Sequence, residues 1–267
     1  MCLTRKGLIA GTLLIYQNKI MSLNLEKLAL VAESERSDLD FLRNKATDSA
    51  KDKTGSVTNT LVGTLRFLAV ADYVLNKDID GFRSKLSEAA GLRSKLFNRF
   101  DAGEAISPSY VSMLSYKALC NALASGNLQL ANELATHMGG RNEIEQEHDH
   151  PFDLAFGYVL KSFVLEDAVG IKKWLCEFKA LCDQPENADF KGYAKVFEAI
   201  LDRNAEKANV GFSELLEGHK RQSKKGVFKD TEDEMLCVWG IGLMNLAHVR
   251  GISTKPQEPL IPADLLI

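Results

Sequence analysis

Apolar residues recur at three- and four-residue spacing along most of this chain, the pattern of amphipathic helices. The alternation that marks strands is weak, and no Asn-Gly or Asp-Gly turn lies between alternating apolar runs. Residues 23–52 read as one long, charged helix with a stripe on Leu25, Leu28, Val31, Ala32, Leu39 and Leu42, ended by Lys53-Thr54-Gly55-Ser56. A second helix covers 57–76, and a third, 78–100, buries Ile79, Phe82, Leu86, Ala90 and Phe97. Ser107-Pro108 pairs a capping serine with proline at the first helical position, so a helix is expected from there to about Ser125. Shorter helices follow at 128–138, from Pro151 through Phe163, and at 168–183, 188–202 and 205–218.

Four stretches share one layout, in which an apolar helix end meets a tight break and then an amphipathic helix. The breaks are Val74-Leu75-Asn76-Lys77, Leu123-Ala124-Ser125-Gly126-Asn127, Val164-Leu165-Glu166-Asp167 and Ile200-Leu201-Asp202-Arg203-Asn204. A helical hairpin repeated every 35–50 residues, roughly, predicts an all-α body of stacked antiparallel hairpins, solenoid-like in character. The expected domain plan is an upstream extension over 1–20, then one all-helical domain over 21–267 with an extended tail from 252 onward.

The last helix is the least ordinary. Thr231-x-x-Glu234 is a capping box, with acids at the positive end of the dipole and Arg250-Gly251 at the close. Met235 to Val249 is apolar nearly all round, the mark of a buried helix rather than a surface one. Gly240 and Gly242 each weaken it by about 1 kcal/mol, which is reasonable only where another element comes close. Three prolines, Pro256, Pro259 and Pro262, keep the tail extended.

Charge narrows the candidate functions. The net charge is −3, and residues 1–20 carry Arg5, Lys6 and Lys19 with no acid, which leaves −6 on the rest. An acidic body excludes a general nucleic-acid binder and suits a basic partner. The apolar run Gly7–Tyr16 superficially resembles a secretion signal, but it lacks a small-x-small cleavage site and is too short to span a bilayer. Met21 therefore reads as the true start, with 1–20 an upstream extension. Five cysteines without a Cys-x-x-Cys pair predict free thiols in a reducing cytosol.

The densest polar cluster is 141–153, a net −4 expected as a loop between helices. Its candidate contact residues are Glu143, Glu145, Glu147, His148, Asp149 and His150, read as an acidic surface for a basic partner against the plainer reading of a solvated loop. A metal site on His148 and His150 with Asp149, Glu147 or Asp153 would have suitable donors, but neighbouring residues seldom converge on one ion without a distant ligand, so no metal is expected. The basic run Gly218–Gly226 lacks interleaved aromatics and reads as a solvated loop. No Gly-x-Ser-x-Gly elbow, phosphate-binding loop or His-Glu-x-x-His occurs, and neither an enzyme nor a cofactor is expected. Asp72 lies within an apolar helix and reads equally as a buried acid or as a flank position on a narrow stripe. His137 and His248 read as structural, and Trp174 and Trp239 as packing residues.

The C-terminal text is distinctive. Glu234-Met235-Leu236-Cys237-Val238-Trp239-Gly240-Ile241-Gly242-Leu243-Met244-Asn245-Leu246-Ala247-His248-Val249-Arg250-Gly251 precedes Pro259-Leu260-Ile261-Pro262-Ala263-Asp264-Leu265-Leu266. Together they resemble the immunity protein 49 family of bacterial polymorphic toxin systems, whose all-helical members end in a Trp-Gly helix and an Ile-Pro-x-Asp-Leu-Leu tail. Phe82-Arg83-x-x-Leu86-x-x-Ala89-Ala90 fits more loosely. The similarity is specific over about 230–266 and carries no residue of known chemical role. It implies a cytoplasmic antidote that binds and neutralises a cognate toxin by occlusion, with no membrane association. The competing readings are a helical-repeat adaptor, which lacks the Trp-x-x-Leu-Gly signature of tetratricopeptide pairs, and a helical metalloenzyme built on Glu147 to His150.

Overall fold

The four predicted breaks fold alike. Lys77, Gly126, Glu166 and Arg203 stand at φ 55°, 79°, 56° and 51°. The next residue in each case (Asp78, Asn127, Asp167 or Asn204) caps the following helix by accepting from the backbone N–H three places on. Its own N–H reaches back to the carbonyl of Asp72, Ala122, Ser162 or Ala199, closing the preceding helix. One left-handed residue followed by one Asx cap is thus the joint of every hairpin.

A computed structural model describes residues 24–257 and 259–267; the predicted extension, 1–20, lies outside them. Among the described residues there are eleven α-helices and no strand. The hairpins are α2 (Ser56–Asn76) with α3 (Ile79–Asp101), α4 (Tyr116–Ala124) with α5 (Leu128–His137), α7 (Pro151–Val164) with α8 (Ala168–Cys182), and α9 (Lys191–Leu201) with α10 (Ala205–Lys225). Helix α1 (Leu25–Ala46) packs outside α2, α6 (Asn142–His148) bridges the second and third hairpins, and α11 (Val238–Val249) follows the fourth. Neighbouring hairpins touch in chain order, α3 on α4 and α5, α4 and α5 on α7, α8 on α9. The chain is an all-α stack of antiparallel hairpins, as the pattern predicts.

Helix α11 does not continue the stack. It turns back and lies chiefly against α4, with further contact to α10. Every residue from Val238 to Ala247 is buried. The Trp239 ring sits 5.2 Å from Tyr116, 5.5 Å from Phe156 and 6.3 Å from Tyr193, centroid to centroid, reaching the first helices of three successive hairpins. Burial of such a ring is worth about 3–5 kcal/mol against alanine. The tail continues the cover, because the Tyr73 hydroxyl of α2 donates to Asp264 at 2.7 Å and Ile261 and Leu265 are fully buried. The expected close approach at the glycines is present. A Cβ on Gly242 would stand 2.8 Å from the Cys120 carbonyl oxygen, and one on Gly240 2.8 Å from Ile261. Asn245, also fully buried, donates to the Leu123 carbonyl at 3.0 Å and accepts from the Ile267 N–H at 3.1 Å.

Several boundaries differ from the sequence pattern, each through a side chain from elsewhere. Helix α1 stops at Ala46 rather than 52, because Asp52 turns inward to accept from Val57 N–H, Thr58 N–H and Arg99 and so starts α2. The single helix expected over 107–125 is two 3-10 turns, Pro108–Tyr110 and Met113–Ser115, followed by the nine-residue α4. The N–H groups of Met113 and Leu114 are held by Asp149, far along the chain, which resets the helix start there. The basic run expected as a loop is the last turns of α10, which extends to Lys225. The capping box exists locally, with Thr231 accepting from Asp233 N–H and Glu234 from Asp230 N–H, but it closes a 3-10 turn over Glu232–Glu234 and α11 starts at Val238. Of the two readings of Asp72 the buried acid holds: it accepts from Arg36 at 2.5 Å and Lys85 at 2.6 Å.

Non-glycine residues pay a steric cost of about 1–2 kcal/mol in the left-handed region. Arg203 makes no ion pair among the described residues. Arg203→Gly should therefore stabilise the fold by about 1 kcal/mol, read as a higher midpoint in denaturant at unchanged slope; a lower midpoint would refute the account of the joint.

Candidate functional site

The acidic candidates divide into two groups. Residues 142–148, expected as loop, form α6, which turns Glu145 inward and Glu143 and Glu147 outward. Glu145 is buried and accepts from Arg141 N–H at 3.1 Å and from the Tyr158 hydroxyl at 2.9 Å. Burial pushes Tyr158 up to about 12; the Gly140 N–H opposes this and the Glu145 carboxylate adds to it, so the hydroxyl remains a donor. Asp149 accepts from Met113 N–H at 2.8 Å and Leu114 N–H at 3.0 Å, both its oxygens being engaged. His150 caps α7, its Nδ1 accepting from Phe152 N–H at 3.3 Å. Asp153, the fifth donor of the metal reading, holds the Tyr116 hydroxyl at 2.9 Å. Glu145, Asp149, His150 and Asp153 thus build the junction between α4, α6 and α7. Glu143, Glu147 and the half-buried His148 face outward. Among the described residues no three His, Cys, Asp or Glu side chains come together as a metal site requires.

A second polar cluster was not foreseen. Arg66 of α2 lies among apolar neighbours and grips Glu232 together with both oxygens of Asp233, at 2.7 and 2.6 Å for the latter. The Asp233 carbonyl meets His219 Nε2 of α10 at 2.7 Å, and the buried imidazole lies against Phe228. Burial lowers the His219 pKa, but the Cys237 sulfur and the Asp233 carboxylate and carbonyl outweigh it and carry it up to about 9. This cluster ties α2 and α10 to the turn that feeds α11. The sequence signal was an arginine inside the apolar run Leu61–Ala71, paired with the acids at 232–234.

The remaining candidates take structural places. His248 bridges the Ile267 carbonyl and the Thr254 hydroxyl at 3.0 and 2.8 Å. In the basic run, Gly218 presses on the Asp189 backbone, while Arg221 and Gln222 bind the Asp189 carboxylate. Trp174 is half-buried and stacks on Tyr158 at 4.2 Å. Cys120, Cys182 and Cys237 are buried free thiols, and Cys176 is exposed. The largest open cleft, about 1080 Å³, lies between α8, α9 and the end of α11; its lining carries four cations and four carboxylates, so it favours neither sign of ligand. No helix among the described residues is long and apolar enough to cross a membrane.

Comparison with protein-family models, curated proteins and solved structures finds no match to this chain.

Three substitutions separate the structural from the outward acids. Glu145→Ala strips partners from Tyr158 and Arg141 and should cost about 1–3 kcal/mol in chemical denaturation, while Glu143→Ala and Glu147→Ala should stay within about 0.5. A neutral Glu145→Ala would place that carboxylate outside the fold's support. The histidine gives a pH signature. Its folded pKa, about 9, stands above the ordinary 6.5, so its stabilisation is complete below pH 6.5 and fades as pH rises through 9. The unfolding midpoint should decline between those values, and His219→Gln should remove that decline; an identical pH profile in the variant would contradict it.

Proposed function

We propose that this chain is a cytoplasmic immunity protein that binds a cognate bacterial toxin and neutralises it by occlusion. The observation that carries the reading is where the resembling text falls. Trp239, Gly240, Gly242, Ile261 and Leu265 are the residues that close the body, so the likeness concerns the parts that decide the fold rather than incidental surface. The surrounding physics is compatible. With α11 and the tail laid over the first helices of the hairpins, a partner meets the outside of the stack, whose shape is set by a continuous buried core. An occluding inhibitor needs a fixed surface and complementary charge, and an acidic body speeds its encounter with a basic toxin. Glu143 and Glu147 on α6 are outward carboxylates suited to that role; Glu145, Asp149 and His150 contribute by holding α6 in place.

The test is co-expression with the toxin encoded beside this chain. Growth should be restored, with a stable complex on pull-down, and His148→Ala with His150→Ala should still protect, as a metalloenzyme would not. Glu143→Lys with Glu147→Lys should slow association several-fold at low salt, with the difference shrinking as salt rises. Loss of viability despite soluble wild-type protein would sink the reading in favour of an adaptor.

A further inference from the structure

Helix α1 is the outermost member of the stack. Its inner side is conventional: Leu28 and Ala32 are buried against α2, and Leu39 and Leu42 pack beside them. Its outer side is not. The end unit of a helical stack ordinarily turns a polar face to solvent, since no neighbour covers it. Here Leu30 and Phe41 are 67% and 58% exposed. Glu26, Leu30, Glu33, Ser37 and Asp40 follow one another at alternating four- and three-residue steps and Phe41 lies four beyond Ser37, so all six share one face.

The charges on α1 are sorted by direction. Arg36 reaches inward to Asp72, and Arg43 to Glu88 at 2.8 and 2.5 Å. Lys45 lies over the Phe41 ring at 4.2 Å. Glu35 turns inward and accepts from the Thr64 hydroxyl at 2.6 Å, and the other acids stay outside. Glu26, Glu33 and Asp38 are exposed and have no ion-pair partner among the described residues, and Asp40 has only a distant approach to Arg43 at 3.9 Å. The outward face thus carries Glu26, Glu33 and Asp40 interleaved with two large apolar side chains, with Lys45 beside Phe41.

We infer that the outward face of α1 is a docking surface for a basic protein, which seats apolar side chains on Leu30 and Phe41 and sets lysine or arginine against Glu26, Glu33 and Asp40. That this protein is the cognate toxin rests on the reading above. Charge selects the occupant. A second copy of this chain would bring one acidic stripe against another, nucleic acid and anionic lipid are repelled by the same carboxylates, and a basic protein gains from both features. The strip from Glu26 to Phe41 is about 22 Å long and 10 Å wide, roughly a quarter of the 800 Å² per partner of an ordinary interface. It therefore supplies an anchor and a steering charge, not the whole footprint.

The experiment uses the full chain and an inactivated form of the toxin encoded beside it, with binding kinetics followed at low and high salt. Glu26→Lys/Glu33→Lys/Asp40→Lys should lower the association rate at least tenfold at low salt and far less at high salt. Leu30→Ser/Phe41→Ser should raise the dissociation rate at least tenfold at any salt. All five positions are exposed, and matched thermal unfolding of the variants confirms that the fold is kept. Wild-type binding with both variants unaffected overturns the α1 surface and leaves the immunity reading standing. A wild type that fails to bind overturns both. A wild type that sediments as a dimer, and as a monomer after Leu30→Ser/Phe41→Ser, gives the face to a second copy; binding that tightens when 1–20 is removed gives it to that segment. Either result overturns the proposal.

Discussion

The fold depends on the burial of one helix that has no polar side. From Val238 to Ala247 every residue of α11 is buried, so the helix must be covered all round. The hairpin stack supplies the cover, and α11 in turn covers the first helices of the hairpins. The two surfaces need each other. Trp239 packs against Tyr116, Phe156 and Tyr193, and all four rings are buried together. The approach is made possible by Gly240 and Gly242, whose lack of a side chain admits Ile261 and the Cys120 carbonyl.

This mutual burial changes the mechanics of the stack. In an open solenoid each repeat touches only its neighbours, and stability is close to a sum over units and interfaces. Here Trp239 of one helix reaches the second, third and fourth hairpins, and Arg66 links the first hairpin to the turn that precedes that helix. Long-range ties of this kind make the body cooperative and fix its outer surface.

What could be read from the sequence was local. The four joints were legible because Asx caps and helix ends act within a few residues, and the all-round apolar character of Met235–Val249 announced its burial. The errors came from side chains acting at long range. Asp149 holds N–H groups near residue 113 and shortens α4, and Asp52 folds back on α2 and ends α1 early. Three acidic candidates looked alike as text, yet the turn of α6 makes Glu145 a buried support and leaves Glu143 and Glu147 free. Periodicity could not give that phase, because seven residues with one apolar member define no stripe. The inward turn of Arg36 and Arg43 on α1 was equally hidden, since it depends on where Asp72 and Glu88 stand.

The order in which the parts are made has its own consequence. Ribosomes deliver the N-terminal end first, so the hairpins emerge before residues 238–265 exist. Throughout that interval Tyr73, Tyr116, Phe156 and Tyr193 form a greasy, uncovered wall on a nascent polypeptide. Such a chain is a natural client for a holding chaperone, and slow translation across its final sixth would prolong the hazard rather than relieve it.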